Sequence, residues 1–317
     1  MHEGIDRYSN VDIQRHDACI IYTPGYRDAA AGGVDAFLIG SELVGLTSMR
    51  DGVGSYPAVG ELKRLAADVA AILGPGTKIS YAADWSEYGL HQPVGTGDAH
   101  FHLDPLWADE NIHFIAIDNY MPLSDWRDGE HQDRLDGART IYDLGYLQGN
   151  IAGGEYHDWY YADDNARETQ IRTPINDGAY GKPWIYRAKD LVSWWSNPHG
   201  DRLGGVEANE PTEWVPQSKP IWFTELGCPA VDRGSNQPNV FYDPKSSESA
   251  LPHFSRGQRD DLIQRRFLQA HAGYWSPGGE GFSDANNPHS SVYAGRMVDP
   301  AAIFVWTWDA RPFPAFP

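Results

Sequence analysis

Two apolar runs in the sequence each reach a glutamate: Val34-Asp-Ala-Phe-Leu-Ile-Gly-Ser-Glu42 and Pro220-Ile-Trp-Phe-Thr-Glu225-Leu-Gly-Cys-Pro229. A short apolar run of this kind is typical of a buried strand in a parallel sheet. Each run stops at a carboxylate, so both glutamates are predicted at the carboxyl ends of strands. Because those ends meet at one edge of a parallel sheet, we expect Glu42 and Glu225 to face a common site.

Strand-like runs alternate with helical patterns along the rest of the chain. A helix is predicted from Tyr56 to Leu73, because apolar residues recur there every three or four positions and Gly74-Pro-Gly76 follows. A second, charge-rich helix is predicted from Arg256 to about Tyr274. The remaining predicted strands are Ala18–Thr23, Lys78–Asp84, Ile112–Asp118 and Ala302–Trp308. This alternation indicates an α/β fold with a parallel sheet and crossover helices.

A closed (β/α)8 barrel needs eight strands, and only five are clear, with Ala18–Thr23 as a sixth. We therefore predict a TIM-barrel-like fold whose first strands are either absent or cryptic. Absence is favoured, because Val34 already begins what looks like a fourth strand. Residues 1–33 are then an N-terminal lead-in or remnant, and 34–317 form the domain. Residues 149–218, rich in Trp, Tyr, Asp and Gly, are predicted to be a long insertion on the active face.

Composition narrows the classes of partner. The formal net charge of −19 over 317 residues disfavours nucleic acid and anionic lipid, whereas it is compatible with neutral glycans. The sequence contains no apolar run long enough to suggest membrane insertion, and no secretory signal is visible at its start. Two cysteines do not make a disulfide framework. Neither a phosphate-binding glycine loop nor a nucleophile elbow is present, so no cofactor is predicted.

Aromatic residues make up 13% of the chain and often stand beside polar groups at predicted strand ends. Aromatic faces stack on the C–H faces of sugar rings, while neighbouring carboxylates and amides bind the hydroxyl groups; packing in the core is the competing interpretation. The candidate sugar-binding residues at these positions are Asp84, Trp85, Asp118, Asn119, Tyr120, Trp306, Trp308 and Asp309. Asp84 and Asp118 have a second interpretation, as caps of the next element.

One motif points elsewhere. Asp98-Ala-His100-Phe-His102-Leu-Asp104 places two histidines two residues apart, a spacing used for metal ligation on a strand. However, Asp104-Pro105 predicts a helix start with Asp104 as its cap, so the histidines would precede a helix. We therefore predict no metal site.

Four segments together resemble the TIM-barrel-like domain of gene transfer agent and phage tail proteins: Ile39–Glu42, Asp118–Pro122, Trp222–Pro229 and Trp306–Pro312. That family looks like a divergent branch of the retaining clan A glycoside hydrolases. The resemblance implies that Glu42 is the general acid/base and Glu225 the nucleophile. The resemblance also implies that Ser41 binds substrate, because that clan usually has asparagine at this position to bind the sugar 2-hydroxyl; serine is a departure from the clan.

Two functions follow as expectations. The first is a retaining glycosidase that acts on cell-surface or cell-wall glycan through a Glu/Glu double displacement. The alternative is a non-catalytic glycan-binding or structural module of a tail hub, because Ser41 puts turnover in doubt. The resemblance also implies other tail or baseplate proteins, or domains of a longer chain, as partners. It implies a phage-like particle assembled in the cytoplasm as the location.

Overall fold

A six-stranded, wholly parallel sheet forms the centre of the protein. The computed structural model describes residues 20–22 and 33–306, apart from 244 and 248. In spatial order the strands are β1 (Ile20–Tyr22), β2 (Ala36–Ser41), β3 (Lys78–Asp84), β4 (Ile115–Asn119), β9 (Ile221–Leu226) and β10 (Val298–Ile303). Spatial order follows chain order, as in a TIM-barrel-like sheet. Within the described residues, β1 and β10 each pair with one neighbour.

Most predicted strands are confirmed, with two changes of boundary. β4 begins at Ile115, three residues later than predicted. The last strand was predicted at Ala302–Trp308, but it runs from Val298 to Ile303 and pairs with β9. Pro300 lies within it, which a sequence reading disfavours. Val298 pairs with Ile221 and Ile303 with Phe223, so the register shifts across that proline.

The sheet has two different faces. One carries large apolar side chains such as Phe37, Ile79 and Phe223, which join the main core under the helices. The other carries mostly small residues, among them Ala36, Ala82, Ala116 and Ala302, packed with Leu38, Phe114 and Trp222. Small side chains leave room for close packing on this face of the sheet.

Two long helices cover the large-residue face. α2 (Pro57–Leu73) starts with proline in its first turn, buries Leu62, Ala66 and Val69, and ends at Gly74, whose φ is +77°. α8 (Asp261–Trp275) is capped by Asp260, whose carboxylate accepts a hydrogen bond from the Ile263 N–H. Its predicted start at Arg256 was five residues early.

Short elements fill the connections. The helices are α1 (Val44–Thr47), α3 (Asp104–Trp107), α4 (Gln132–Leu135), α5 (Leu144–Gly149), α6 (Asp164–Thr169) and α7 (Leu191–Ser196). 3-10 turns span Pro183–Tyr186 and Gly234–Asn236. Two small hairpins lie between β4 and β9: β5 (Trp159–Tyr160) with β6 (Thr173–Pro174), and β7 (Arg202–Leu203) with β8 (Val206–Glu207).

Buried ion pairs hold this long β4–β9 connection in place. The Arg172 guanidinium lies 2.9 Å from a carboxylate oxygen of Asp125 and also pairs with Asp133. Arg202, 2% exposed, pairs with Asp177 at 2.8 Å. Charges this deeply buried are retained only when paired, so the connection is an ordered layer of the domain.

Candidate carboxylate site and adjoining aromatic cavity

Strand register brings the predicted acids to one edge of the sheet. Asp84 of β3 pairs with Asp118 of β4, and Asp118 pairs with Glu225 of β9. Glu42 follows the last residue of β2, and its N–H donates to the Ala82 carbonyl at 2.8 Å. Residues far apart in the chain are thus set side by side at the carboxyl ends of their strands.

Two bulges direct the side chains at this edge. Between β4 and β9, Ile117 pairs with Phe223 but Asp118 pairs with Glu225, so Thr224 is an extra residue. Between β2 and β3, Leu38 pairs with Ser80 and Ser41 with Ala82, so β2 also contains an extra residue. A bulge breaks the two-residue alternation and turns the next side chain toward the other face. Ser41 and Glu225 thereby reach Asp118.

Glu42, Asp118 and Glu225 form a carboxylate cluster. One oxygen from each lies within 4.8 Å of one oxygen of each of the others. Asp118 is fully buried, Glu225 is half-buried and Glu42 is exposed. Three negative charges at this spacing repel strongly, so the cluster must hold at least one proton near neutral pH.

Asp118 is where that proton is best held. Burial, and next the charge of Glu225, raise its pKa from 3.8 to about 8; Glu42 adds to this. Two hydroxyls oppose the shift: Thr224 Oγ1 donates to one carboxylate oxygen at 2.6 Å and Ser41 Oγ to the other at 3.0 Å. Desolvation and charge repulsion outweigh the two hydrogen bonds, so the pKa of Asp118 is raised.

Glu42 is the exposed member of the cluster, and its backbone geometry is unusual. Its φ is +50°, in the left-handed region that residues other than glycine seldom adopt. Desolvation, and then the charges of Asp84, Glu225 and Glu87, raise its pKa to about 7. Since the residue is exposed, solvent screens part of this effect. A carboxyl group with a pKa near 7 is suited to donate and accept a proton.

A buried network fixes the backbone just after Glu42. The Leu43 N–H donates to the Tyr81 hydroxyl at 2.7 Å, and that hydroxyl donates to Glu87 at 3.0 Å. Thr47 Oγ1 of α1 donates to the same carboxylate. Glu87 is 2% exposed, and burial raises its pKa. This network could not be predicted from the sequence, because Tyr81 lies on the core face of β3.

Glu225 is held by Tyr120, which lies just after β4. The Tyr120 hydroxyl donates to a Glu225 carboxylate oxygen at 2.5 Å. Burial, followed by the charge of Glu225, raises the pKa of Tyr120 and keeps its proton in place. A donated hydrogen bond stabilises the ionised form of its acceptor. The cluster is therefore asymmetric: Glu42 and Asp118 have raised pKa values, whereas Glu225 accepts the Tyr120 hydrogen bond.

The other predicted residues at this edge have more local contacts. One Asp84 oxygen accepts from the Ser86 N–H at 2.8 Å, as a residue capping a turn would, while its charge also acts on Glu42. Asn119 is 1% exposed, and its side-chain oxygen accepts from the Met121 N–H at 3.2 Å. Asn119 therefore serves the turn after β4 through this contact.

Aromatic residues predicted near the site separate into two places. Trp85 is buried, and its ring packs edge-on against Tyr156 with centroids 4.9 Å apart. Trp306 is 52% exposed; its N–H donates to the Leu226 carbonyl at the end of β9. Trp308 and Asp309 lie outside the described residues.

The carboxylate oxygens of the cluster are close enough to share a divalent cation. Both oxygens of Asp118 already accept hydroxyl hydrogen bonds, however. A proton on Asp118 also relieves the repulsion that a cation would relieve. Spacing alone does not identify the three residues as metal ligands.

The two histidines of the Asp98–Asp104 motif, His100 and His102, are both buried. His102 is buried, and its pKa is lowered to about 3 by burial and by the nearby His91 and His100. His100 Nδ1 lies 3.1 Å from Asp201. The predicted cap was wrong: Leu103 precedes α3 without a side-chain cap bond, and the buried Asp104 carboxylate instead lies 2.8 Å from His199 Nδ1.

Two cavities lie in the long connection and around β3. The first, about 400 Å³, is polar and includes the buried Lys189, whose Nζ donates to backbone carbonyls such as that of Asn150 at 2.9 Å. The second, about 380 Å³, has six aromatic residues among the 13 that line it, and Trp85 is one of them. The sequence analysis identified Trp85 but missed the rest of the lining, part of which follows Trp85 directly and part of which comes from segments about 70 to 110 positions away.

No helix among the described residues has the length and apolar character required to cross a membrane. Residues 23–317 match the family described as the GTA (gene transfer agent) TIM-barrel-like domain. No curated protein matches the chain.

Proposed function

The chain belongs to the GTA TIM-barrel-like domain family, and on that premise we propose that it is the glycan-cleaving module of a phage-like particle. The observation that carries the proposal is the pair of glutamates at the ends of β2 and β9, with carboxylate oxygens within 4.8 Å. Retaining glycosidases place their two carboxyl groups about 5 to 5.5 Å apart, whereas inverting enzymes need about 6.5 to 9.5 Å. The 4.8 Å limit applies to the nearest oxygens rather than to the carboxyl centres, and it agrees with the closer, retaining arrangement, on which we base the double displacement.

The roles follow from the two environments. Glu225, supported by the Tyr120 hydroxyl, attacks the anomeric carbon and forms a glycosyl ester as the leaving-group oxygen departs. Glu42, whose pKa is about 7, gives that oxygen its proton. In the second half Glu42 takes a proton from water, the water oxygen bonds to the anomeric carbon, and Glu225 leaves as carboxylate.

Asp118 keeps the cluster from becoming trianionic. With a pKa of about 8 it stays protonated near neutral pH, so Glu225 ionises beside a neutral neighbour. This role belongs to a positioning residue, because Asp118 is fully buried and is bonded to Ser41 and Thr224.

A second candidate function has its own support in Ser41. The Ser41 hydroxyl donates to Asp118 and is thus already engaged, where the related glycosidases use an asparagine on the sugar 2-hydroxyl. That lost contact favours the alternative of a glycan-binding tail module without turnover. In either case the cell-surface or cell-wall glycan is the ligand, and tail proteins are the structural partners.

Covalent labelling separates the two functions. A panel of 2-deoxy-2-fluoro glycosyl fluorides is incubated with the wild-type protein, and the labelled peptide is mapped by mass spectrometry. We expect one glycosyl group on Glu225, and no label in Glu225→Gln. Glu210→Gln, which changes an exposed glutamate, is the matched control and should label normally. Label on another residue, or equal hydrolysis of aryl glycosides by wild type and Glu225→Gln, would remove the nucleophile assignment.

A further inference from the structure

The aromatic cavity beside β3 has walls that are fixed by packing. Tyr88 and Trp194 meet edge-on with ring centroids 5.0 Å apart, and Trp85 meets Tyr156 in the same way. The Tyr88 hydroxyl donates to the Ala188 carbonyl at 2.8 Å. Trp184 also lines the cavity and packs against Phe101, with ring centroids 6.1 Å apart. A preformed wall loses little conformational entropy when a ligand binds.

Polar groups in the lining are hydrogen-bonding rather than acidic. Ser86, Gln92 and Arg187 line the cavity together with the aromatic rings, and its lining includes no Asp or Glu. This is unusual in a chain of net charge −19. Aromatic faces combined with a few amide, hydroxyl and guanidinium donors suit a ring that has apolar C–H faces and hydroxyl edges.

Tyr156 provides a second sign that this wall is specialised. Its φ is +64°, a conformation that is costly for a bulky residue. Its N–H donates to the Trp159 carbonyl at 2.8 Å, which holds the ring against Trp85. Strained backbone persists where the surrounding structure imposes it, and such positions cluster at ligand sites.

The cavity adjoins the carboxylate cluster through β3. Trp85 follows Asp84, and Asp84 pairs in register with Asp118 while its charge acts on Glu42. A chain of sugars cleaved between Glu42 and Glu225 would therefore have this wall next to it, because Trp85 is the first residue after the strand end that carries Asp84.

We propose that this cavity is a separate subsite that binds one pyranose ring of the glycan by stacking on Trp85 and Trp184, with Arg187 and Gln92 bonding its hydroxyls. A volume of about 380 Å³ lies within the range of small-ligand pockets. The identity of the ligand as a glycan rests on the proposed function, but binding in this cavity does not require turnover.

The test measures binding and cleavage separately. The probes are β-linked glucose and N-acetylglucosamine oligosaccharides, from disaccharide to hexasaccharide, titrated by calorimetry into the Glu225→Gln protein. Further variants in that background are Trp184→Ala and Arg187→Gln; Tyr242→Ala removes an exposed aromatic outside both cavities and is the control. Arg187→Gln guards against misfolding, because within the described part of the chain the guanidinium makes a single hydrogen bond, a long one of 3.3 Å to the Ile175 carbonyl.

We expect Kd for the longer oligosaccharides to rise about tenfold in Trp184→Ala and less in Arg187→Gln, with Tyr242→Ala unchanged. With Glu225 restored, the Tyr242→Ala protein should hydrolyse a one-ring aryl glycoside at the wild-type rate. Unchanged oligosaccharide affinity in both folded cavity variants, or no oligosaccharide binding at all, overturns the subsite. If the oligosaccharides bind as expected but nothing is hydrolysed or labelled, the subsite stands and the catalytic function fails.

Discussion

Replacing Asp118 with asparagine should remove a large pH dependence from the stability of the fold. Asp118 is fully buried, and its pKa in the folded protein is about 8 against an ordinary 3.8. Between these values the unfolded chain releases the proton while the folded protein keeps it. The free energy of unfolding therefore falls as pH rises, and the contribution is lost as pH passes through about 8.

The magnitude follows from the two pKa values. Their difference is about four pH units, and each unit corresponds to about 1.4 kcal/mol, so the full effect is on the order of 6 kcal/mol. About 4 kcal/mol of it falls between pH 5 and pH 9. Asparagine matches the shape of protonated aspartate, and the Ser41 and Thr224 hydroxyls can rotate to meet its amide group. Asparagine carries no titrating proton, so this pH dependence disappears in the variant.

Urea unfolding of wild type and Asp118→Asn from pH 5 to pH 9 measures this directly. We expect similar stabilities near pH 5, and a variant that is more stable by several kcal/mol near pH 9. Asp68→Asn, which changes an exposed aspartate of α2, is the control and should run parallel to wild type. If wild type and Asp118→Asn differ by a constant amount across the range, Asp118 does not hold the proton and the reasoning is refuted.

Three other changes test the supports of the site. Tyr120→Phe removes a hydrogen bond to the Glu225 carboxylate that is worth about 1.5–3 kcal/mol, so aryl glycoside hydrolysis should fall about tenfold or more. An unchanged rate would show that Tyr120 does not support catalysis. Tyr81→Phe leaves the backbone N–H that it binds without an acceptor and should lower the urea-derived stability by about 1–3 kcal/mol; wild-type stability would contradict this. Gly227→Ala would place a methyl carbon 2.1 Å from the Trp306 carbonyl oxygen, so it should destabilise by about 1–3 kcal/mol, as a lowered Tm would report.

Much of the fold could be predicted from apolar runs and their ends. Lys78–Asp84 and the helix ending at Leu73 are observed at their predicted bounds or within one residue, because burial pattern and Gly74 mark them locally. β10 was misplaced because Pro300 lies inside it, and the pairing that tolerates the proline depends on β9.

Less of the site could be predicted, since its geometry depends on register. Nothing in the local sequence shows that Thr224 is an extra residue opposite β4, yet this bulge is what pairs Asp118 with Glu225. Likewise, Tyr81 looked like an ordinary core residue, because its role comes from a contact with Leu43 across 38 positions. Long-range pairing sets such contacts, and a single sequence contains no record of it.

The left-handed backbone of Glu42 has an evolutionary consequence. Holding a glutamate at φ +50° costs on the order of 1 kcal/mol or more, and glycine at this position would recover part of it. Selection for stability alone would therefore tend to replace Glu42, and a library screened only for thermal resistance should enrich Glu42→Gly. On the proposed function, a lineage of this domain without glycan cleavage would be free to carry glycine here, and the residue at this position would then distinguish domains that cleave glycan from domains that do not.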